Sequence, residues 1–253
     1  MSEKAFWDSH EKTLDVSREM AYLPRHALHA DITGFVSRRI ADKGSVRLLE
    51  AGCGSGRWNF HLVGSFPGKV QAVGIDFSDL IYTAGRHARS SGARGAQFCK
   101  ADIGKLPFRD GAFDAVLCLG VIEHFNPPAP VLAELRRILA SDGALYVETP
   151  RAFHADAHDH DAELEIDYTL SQLVDVLKGN ALDVERAYTR GFHFRVFYVL
   201  NYARKRLGLG KAGGLLYRIL GKLQLLMKPL NALGDPAGWG FYNVVIARRG
   251  GQA

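Results

Sequence analysis

Cysteine is scarce in this chain: 3 in 253 residues. An odd, small set scattered at Cys53, Cys99 and Cys118, inside apolar or glycine-rich stretches, encodes neither a disulfide framework nor a zinc ribbon, and it fits a reducing compartment. Long apolar runs are missing too. No stretch approaches the roughly 20 apolar residues that a membrane-crossing helix requires, and residues 1–22 are charged throughout, unlike an export signal. These absences lead to the expectation of a cytoplasmic protein. Internal repeats, low-complexity tracts and a Pro/Ser/Gly-rich linker are absent as well, so the expectation is one domain over 1–253. At 47% hydrophobic and 23% charged, the composition excludes disorder, collagen and coiled coil.

Acidic residues are missing from one region in particular. Between 191 and 234 there is not one Asp or Glu, while Arg195, Arg204, Lys205, Arg206, Lys211, Arg218, Lys222 and Lys228 are basic. Residues 1–186 carry a net charge of −5 and residues 187–253 a net +10, so the overall +5 hides a strong asymmetry.

What is present from residue 46 onward is alternation: short apolar runs separated by longer helical patterns, the sequence form of βαβ units on a parallel sheet. The runs at 46–51, 70–75, 96–100, 115–119 and 144–148 predict five buried strands. Residues 181–189 and 241–247 predict a sixth and a seventh. Helices are expected over 78–90, capped by Ser78 and stopping near Gly92, and over 128–140, with Asp142-Gly143 turning the chain into the next strand. A further helix is expected over 168–178, ended by Gly179-Asn180. Residues 10–42 predict one or two amphipathic helices broken around Pro24, forming an N-terminal cap over 1–45.

The strongest local signal is Leu48-Leu49-Glu50-Ala51-Gly52-Cys53-Gly54-Ser55-Gly56-Arg57-Trp58, a buried strand passing through a glycine-spaced turn into a helix. Glycines at 52, 54 and 56 permit a tight turn and close approach of a nucleotide-like ligand. Asp76, twenty residues past Gly56, ends the second strand, where a carboxylate can accept ribose hydroxyl protons. The spacing departs from the dinucleotide fingerprint, and Glu50 before the loop suits a cationic or zwitterionic ligand better than a pyrophosphate.

With these motifs the chain resembles the class I S-adenosylmethionine-dependent methyltransferases, and within them the small-molecule branch that includes ubiquinone and menaquinone methyltransferases. The resemblance extends through Ala101-Asp102-Ile103, Leu106-Pro107-Phe108, Asp110, Phe113-Asp114 and Gly120-Val121-Ile122-Glu123-His124-Phe125, and covers 46–150. It implies an α/β, Rossmann-like seven-stranded sheet with helices on both faces and a reversed last strand. S-adenosylmethionine is the implied cofactor, held by Glu50, Gly52, Gly54, Gly56, Asp76, Phe77, Asp102, Ile103 and Leu119. Among these, Asp76 would hold the ribose, Asp102 the adenine amino group with Ile103 beside the ring, and Glu50 the ammonium.

On the acceptor side, His124 lies just past the fourth strand at the ligand edge of the sheet and is either a general base or a packed histidine closing the strand end. His154, after the fifth strand, could also face the acceptor. Its neighbours Asp156, His158, Asp159, His160 and Asp161 include metal-ligand types, but a solvated loop explains them better, so no metal is expected.

About fifty residues separate the last two expected strands, far more than a connection needs. Within them Leu215, Leu216, Ile219, Leu220, Leu223, Leu226, Met227 and Leu230 form a helical stripe, opposite Lys211, Arg218 and Lys222. A helical insertion over 192–234 is expected. It would act as a packed lid, a contact with a lipophilic or acidic acceptor, or a peripheral contact with a membrane surface; nucleic acid is disfavoured for want of stacking aromatics.

The function expected is methyl transfer to an oxygen or carbon of a small, lipophilic acceptor. Two alternatives share the fold. One is a lipid-modifying enzyme similar to the cyclopropane fatty-acid synthase group, which Glu123-His124-Phe125 also resembles. The other is a non-methylating cofactor binder such as a pericyclase or scaffold subunit.

Overall fold

A computed structural model describes residues 15–151, 166–191 and 240–251. His154, the His/Asp cluster around it and the basic stretch 192–234 therefore lie outside the described residues.

The described residues open with helix α1 (Val16–Tyr22), a 3-10 turn (Leu23–Arg25) and α2 (His29–Lys43), broken at Pro24 as the sequence predicts. β1 (Val46–Ala51), α3 (Arg57–Ser65), β2 (Val70–Asp76), α4 (Leu80–Ser91) and β3 (Ala96–Lys100) follow. Next come β4 (Phe113–Leu119), a 3-10 turn (Ile122–His124), α5 (Ala129–Ile138), β5 (Leu139–Pro150), α6 (Leu170–Gly179), β6 (Leu182–Arg190) and β7 (Tyr242–Arg249).

All seven strands join one sheet in the order β3-β2-β1-β4-β5-β7-β6. β1 to β5 pair in parallel, and β7 runs antiparallel to both β5 and β6, giving the reversed last strand. Successive residues of a buried strand face opposite layers. Thus Leu49, Val116 and Val147 pack with Leu132, Leu135 and Leu173 of α5 and α6, while Leu48, Leu117 and Tyr146 pack with Phe35 and Val36 of α2 and Trp58 of α3. The chain works outward from β1 to β3 and then returns to β4 on the other side of β1. That reversal opens a cleft at the carboxyl ends of β1 and β4, where open α/β sheets bind ligands.

Two boundaries differ from the sequence reading. Ser78 does not cap α4: it is fully buried, and its amide and hydroxyl both donate to Asp76 Oδ1, at 2.8 and 2.6 Å. The helix starts two residues later, at Leu80. β5 begins at Leu139, directly after α5, because Leu139 pairs with Phe113. Asp142-Gly143 consequently lies within the strand.

Long-range ion pairs fix the cap to the sheet. Lys43 Nζ lies 2.7 Å from both Asp114 and Asp142, and Arg190 Nε donates to Asp31 Oδ2 at 2.7 Å. Among the described residues, no helix is long and apolar enough to cross a membrane.

Candidate active site

The loop after β1 turns on three glycines in the left-handed region, with φ of 72° at Gly52, 50° at Gly54 and 72° at Gly56. Their surroundings assign them different tasks. A Cβ at Gly52 would overlap Val121, and one at Gly56 would overlap the Phe98 ring, so both positions exist for packing. A Cβ at Gly54 would meet nothing within 4 Å, which leaves its backbone open to a ligand.

A cavity of about 530 Å³ opens in front of this loop. From β1 and the loop it is lined by Glu50, Gly52 and Gly54; from the end of β2 by Asp76 and Phe77; from the turn after β3 by Asp102 and Ile103. Leu119 and His124, at the end of β4, complete the set. Four segments that are distant in the chain thus bring nine of the predicted residues to one space. Gly56, at the start of α3, is not among these lining residues and sits against Phe98 and Ala84.

Asp76 is already engaged by the chain itself. Its Oδ2 accepts the Gly54 amide at 2.7 Å, and Oδ1 takes the two bonds from Ser78. A carboxylate offers about four acceptor positions, so one remains, on Oδ2. Asp102 is exposed, and its Oδ1 accepts from Gly104 at 2.8 Å.

These features coincide with what comparison with known proteins finds. A family model described as a methyltransferase domain matches residues 42–191, which includes every described wall of the cavity except that contributed by α1. The chain belongs to the methyltransferase family. A Mycobacterium tuberculosis protein named as a probable S-adenosylmethionine-dependent methyltransferase is 32% identical over 174 residues, covering 65% of this chain and 58% of that protein. The chain thus spans well under two thirds of that relative's length. Demethylmenaquinone methyltransferase of Thermus thermophilus is 37% identical over 108 residues, 42% of this chain and 48% of the relative. Among solved structures the cyclase SpnF superimposes with a TM-score of 0.60 at 22% identity, covering 88% of this chain and 82% of that one. That likeness concerns the fold.

In the methyltransferase domain the electrostatics are concentrated at the β1 end. Glu50 is buried and accepts a hydrogen bond from Asn59 Nδ2 of α3. Burial pushes its pKa up to about 8, against the opposing pull of Arg57 and the Asn59 bonds. Cys53, beside it, is also buried, and its thiol is held well above its ordinary range by burial and by the Glu50 and Asp76 carboxylates.

A second buried carboxyl sits at the end of β5. Glu148 pairs in register with Leu119, and the Gly120 amide donates to its backbone oxygen at 3.0 Å. Only 5% of Glu148 is exposed, and its Oε1 has no hydrogen-bond partner. Burial and the nearby Glu123 carboxylate push the group far toward its neutral form.

Among the cavity residues to which sequence reasoning gave no role are Glu19, Ser55, Arg57 and Trp58. Ser55, Arg57 and Trp58 stand within the quoted loop motif, so their proximity was legible though their role was not. Glu19 had no local signal at all, because it reaches the cavity from α1.

Proposed function

We propose that the chain transfers a methyl group from S-adenosylmethionine to an oxygen or carbon of a small, lipophilic acceptor. The observation that carries this reading is the gathering of Glu50, the open Gly54 backbone, Asp76 and Asp102 around one cavity at the switch point of the sheet. The residues suit the cofactor. Asp76 Oδ2 keeps one acceptor position for a ribose hydroxyl. Asp102 keeps Oδ2 for the adenine amino group, with buried Ile103 against the ring and half-exposed Phe77 flanking it. Glu50 supplies a carboxylate to an ammonium.

When bound, the cofactor supplies an electrophilic methyl group on a sulfonium. The chain's own contribution is to align it, since displacement in line depends on proximity and orientation. His124, which lines the cavity beyond β4, takes the proton of an acceptor hydroxyl. His154 stands as a second acceptor-side residue by its position in the sequence. Relatives named for quinone methylation, such as the Thermus protein, support a lipophilic phenol-like acceptor. So does the basic and apolar stretch 192–234, which also suits peripheral contact with an anionic surface.

Calorimetric titration with S-adenosylhomocysteine tests the cofactor, with a nicotinamide dinucleotide as control. Transfer of labelled methyl from S-adenosylmethionine to a panel of phenols, catechols and quinols tests the acceptor. The reading expects micromolar-range cofactor binding and labelling of at least one acceptor. His124→Asn should then lower turnover and leave cofactor affinity unchanged. A parent protein that binds the dinucleotide in preference would sink the assignment, and sedimentation with anionic vesicles at low and high salt checks the surface contact.

A further inference from the structure

We propose that Ser55 and Arg57 form the subsite for the cofactor's α-carboxylate, and that Glu19 of α1 is an internal carboxylate occupying the same subsite. This rests on the cofactor reading above and assigns the amino-acid end of that site.

Three contacts define the place. Ser55 Oγ donates to Glu19 Oε2 at 2.5 Å. Arg57 Nη1 lies 3.8 Å from the same oxygen. All three residues line the cavity, together with Glu50. A hydroxyl and a guanidinium converging on one carboxylate oxygen are the donors that carboxylate recognition requires. Arg57 is also close enough for its charge to act on Glu50. One end of the cavity therefore presents cationic and hydroxyl donors beside a buried carboxyl, the complement of an α-amino acid: carboxylate toward Arg57 and Ser55, ammonium toward Glu50.

A carboxylate from the chain already fills the anionic half. Two carboxylates cannot share one hydroxyl and one guanidinium without like-charge repulsion in a partly buried place. Glu19 must therefore leave when the cofactor's carboxylate enters, and its attachment permits that. Among the described residues, α1 has seven residues, buries only Val16, which with Met20 packs on Phe60 and Ala96, and joins the body through the short 3-10 turn at Leu23–Arg25. Helices anchored by so little buried apolar surface release at small cost. Glu19 thus acts as a built-in competitor that holds α1 over the cavity until the amino-acid end of the cofactor displaces it.

The test is calorimetric titration of S-adenosylhomocysteine and of 5′-methylthioadenosine, which lacks the amino-acid end, against the full chain. Glu19→Gln should bind S-adenosylhomocysteine about three- to tenfold more tightly and methylthioadenosine unchanged. Arg57→Gln should weaken S-adenosylhomocysteine about tenfold or more, Ser55→Ala by less, and neither should alter methylthioadenosine binding. Melting temperatures confirm that each variant is folded, and Glu19→Ala serves as a second removal of the carboxylate. If both Glu19 variants bind S-adenosylhomocysteine no more tightly than the parent, or shift both nucleosides equally, the competitor assignment is overturned. Unchanged S-adenosylhomocysteine affinity in Arg57→Gln overturns the subsite. A parent that binds neither nucleoside overturns the cofactor reading itself, and this proposal with it.

Discussion

Asp76 Oδ2 accepts the Gly54 amide at 2.7 Å, tying the end of β2 to the glycine loop after β1. The bond ties the loop to the same carboxylate that would hold a ribose, so the residue proposed to hold the ligand also shapes the surface next to it. Asp76→Ala should consequently fail in two ways. Losing three chain hydrogen bonds should cost about 1–3 kcal/mol of stability, and cofactor affinity should fall about tenfold or more. Chemical denaturation and calorimetry measure the two separately; lost affinity with undiminished stability would mean the loop does not need this tie.

The glycines provide a contrast. Gly56→Ala forces a left-handed alanine into the Phe98 ring and should cost about 2–4 kcal/mol. Gly54→Ala carries only the left-handed strain, about 1–2 kcal/mol, because its Cβ enters open space. Gly54 lines the cavity, so Gly54→Ala is the variant expected to lose cofactor binding while remaining folded. Equal loss of binding in both would contradict the division of labour.

Glu50 gives a pH dependence with a definite sign. Its pKa rises from an ordinary 4.5 to about 8 on burial, so between those values the folded protein holds a proton that the unfolded chain has released. Stability conferred by the neutral carboxyl is complete at low pH, declines by about 1.4 kcal/mol per pH unit as pH rises through this window, and levels off above the folded pKa. Glu148, shifted the same way, adds to the slope. Urea denaturation between pH 5 and 8 should show Glu50→Gln with a flatter profile than the parent.

The same proton should appear in ligand binding. An ammonium placed against Glu50 favours the carboxylate, so S-adenosylhomocysteine binding at pH 7 should release about one proton. Titrations in buffers of differing ionisation enthalpy would reveal it as a buffer-dependent heat. A heat independent of buffer would separate Glu50 from the ammonium.

The cap depends on Asp31. Arg190 grips it with Nε at 2.7 Å and Nη2 at 3.2 Å, while the guanidinium stacks 4.4 Å from the Tyr188 ring. Asp31→Ala strands a partly buried guanidinium and should destabilise the protein by about 1–3 kcal/mol. A thermal melt checks this, and the double variant Asp31→Ala/Arg190→Leu, which removes both charges, should cost less.

How far the sequence alone reached follows from the range of the forces involved. The strands were legible because each buried run must be apolar wherever it sits, and the break at Pro24 because proline limits its neighbours locally. Asp76 and the glycines were legible because loop and strand end lie within one βαβ unit. Ser78 misled because a local cap and a bond back to Asp76 draw on the same side-chain chemistry, and only the packed loop decides between them.

What tertiary structure alone decided is which distant groups share an environment. Glu19 reaches Ser55 across 36 residues, and Glu148 comes to lie beside Leu119 through strand pairing. Nothing in the local pattern distinguishes Glu50, made neutral by burial, from the exposed carboxylate of Asp102. Sequence periodicity determined the scaffold, since backbone hydrogen bonding and apolar burial repeat with the chain. The charges at the site were decided only when the sheet closed, since the cost of ionising a carboxyl depends on the water and partners that packing leaves around it.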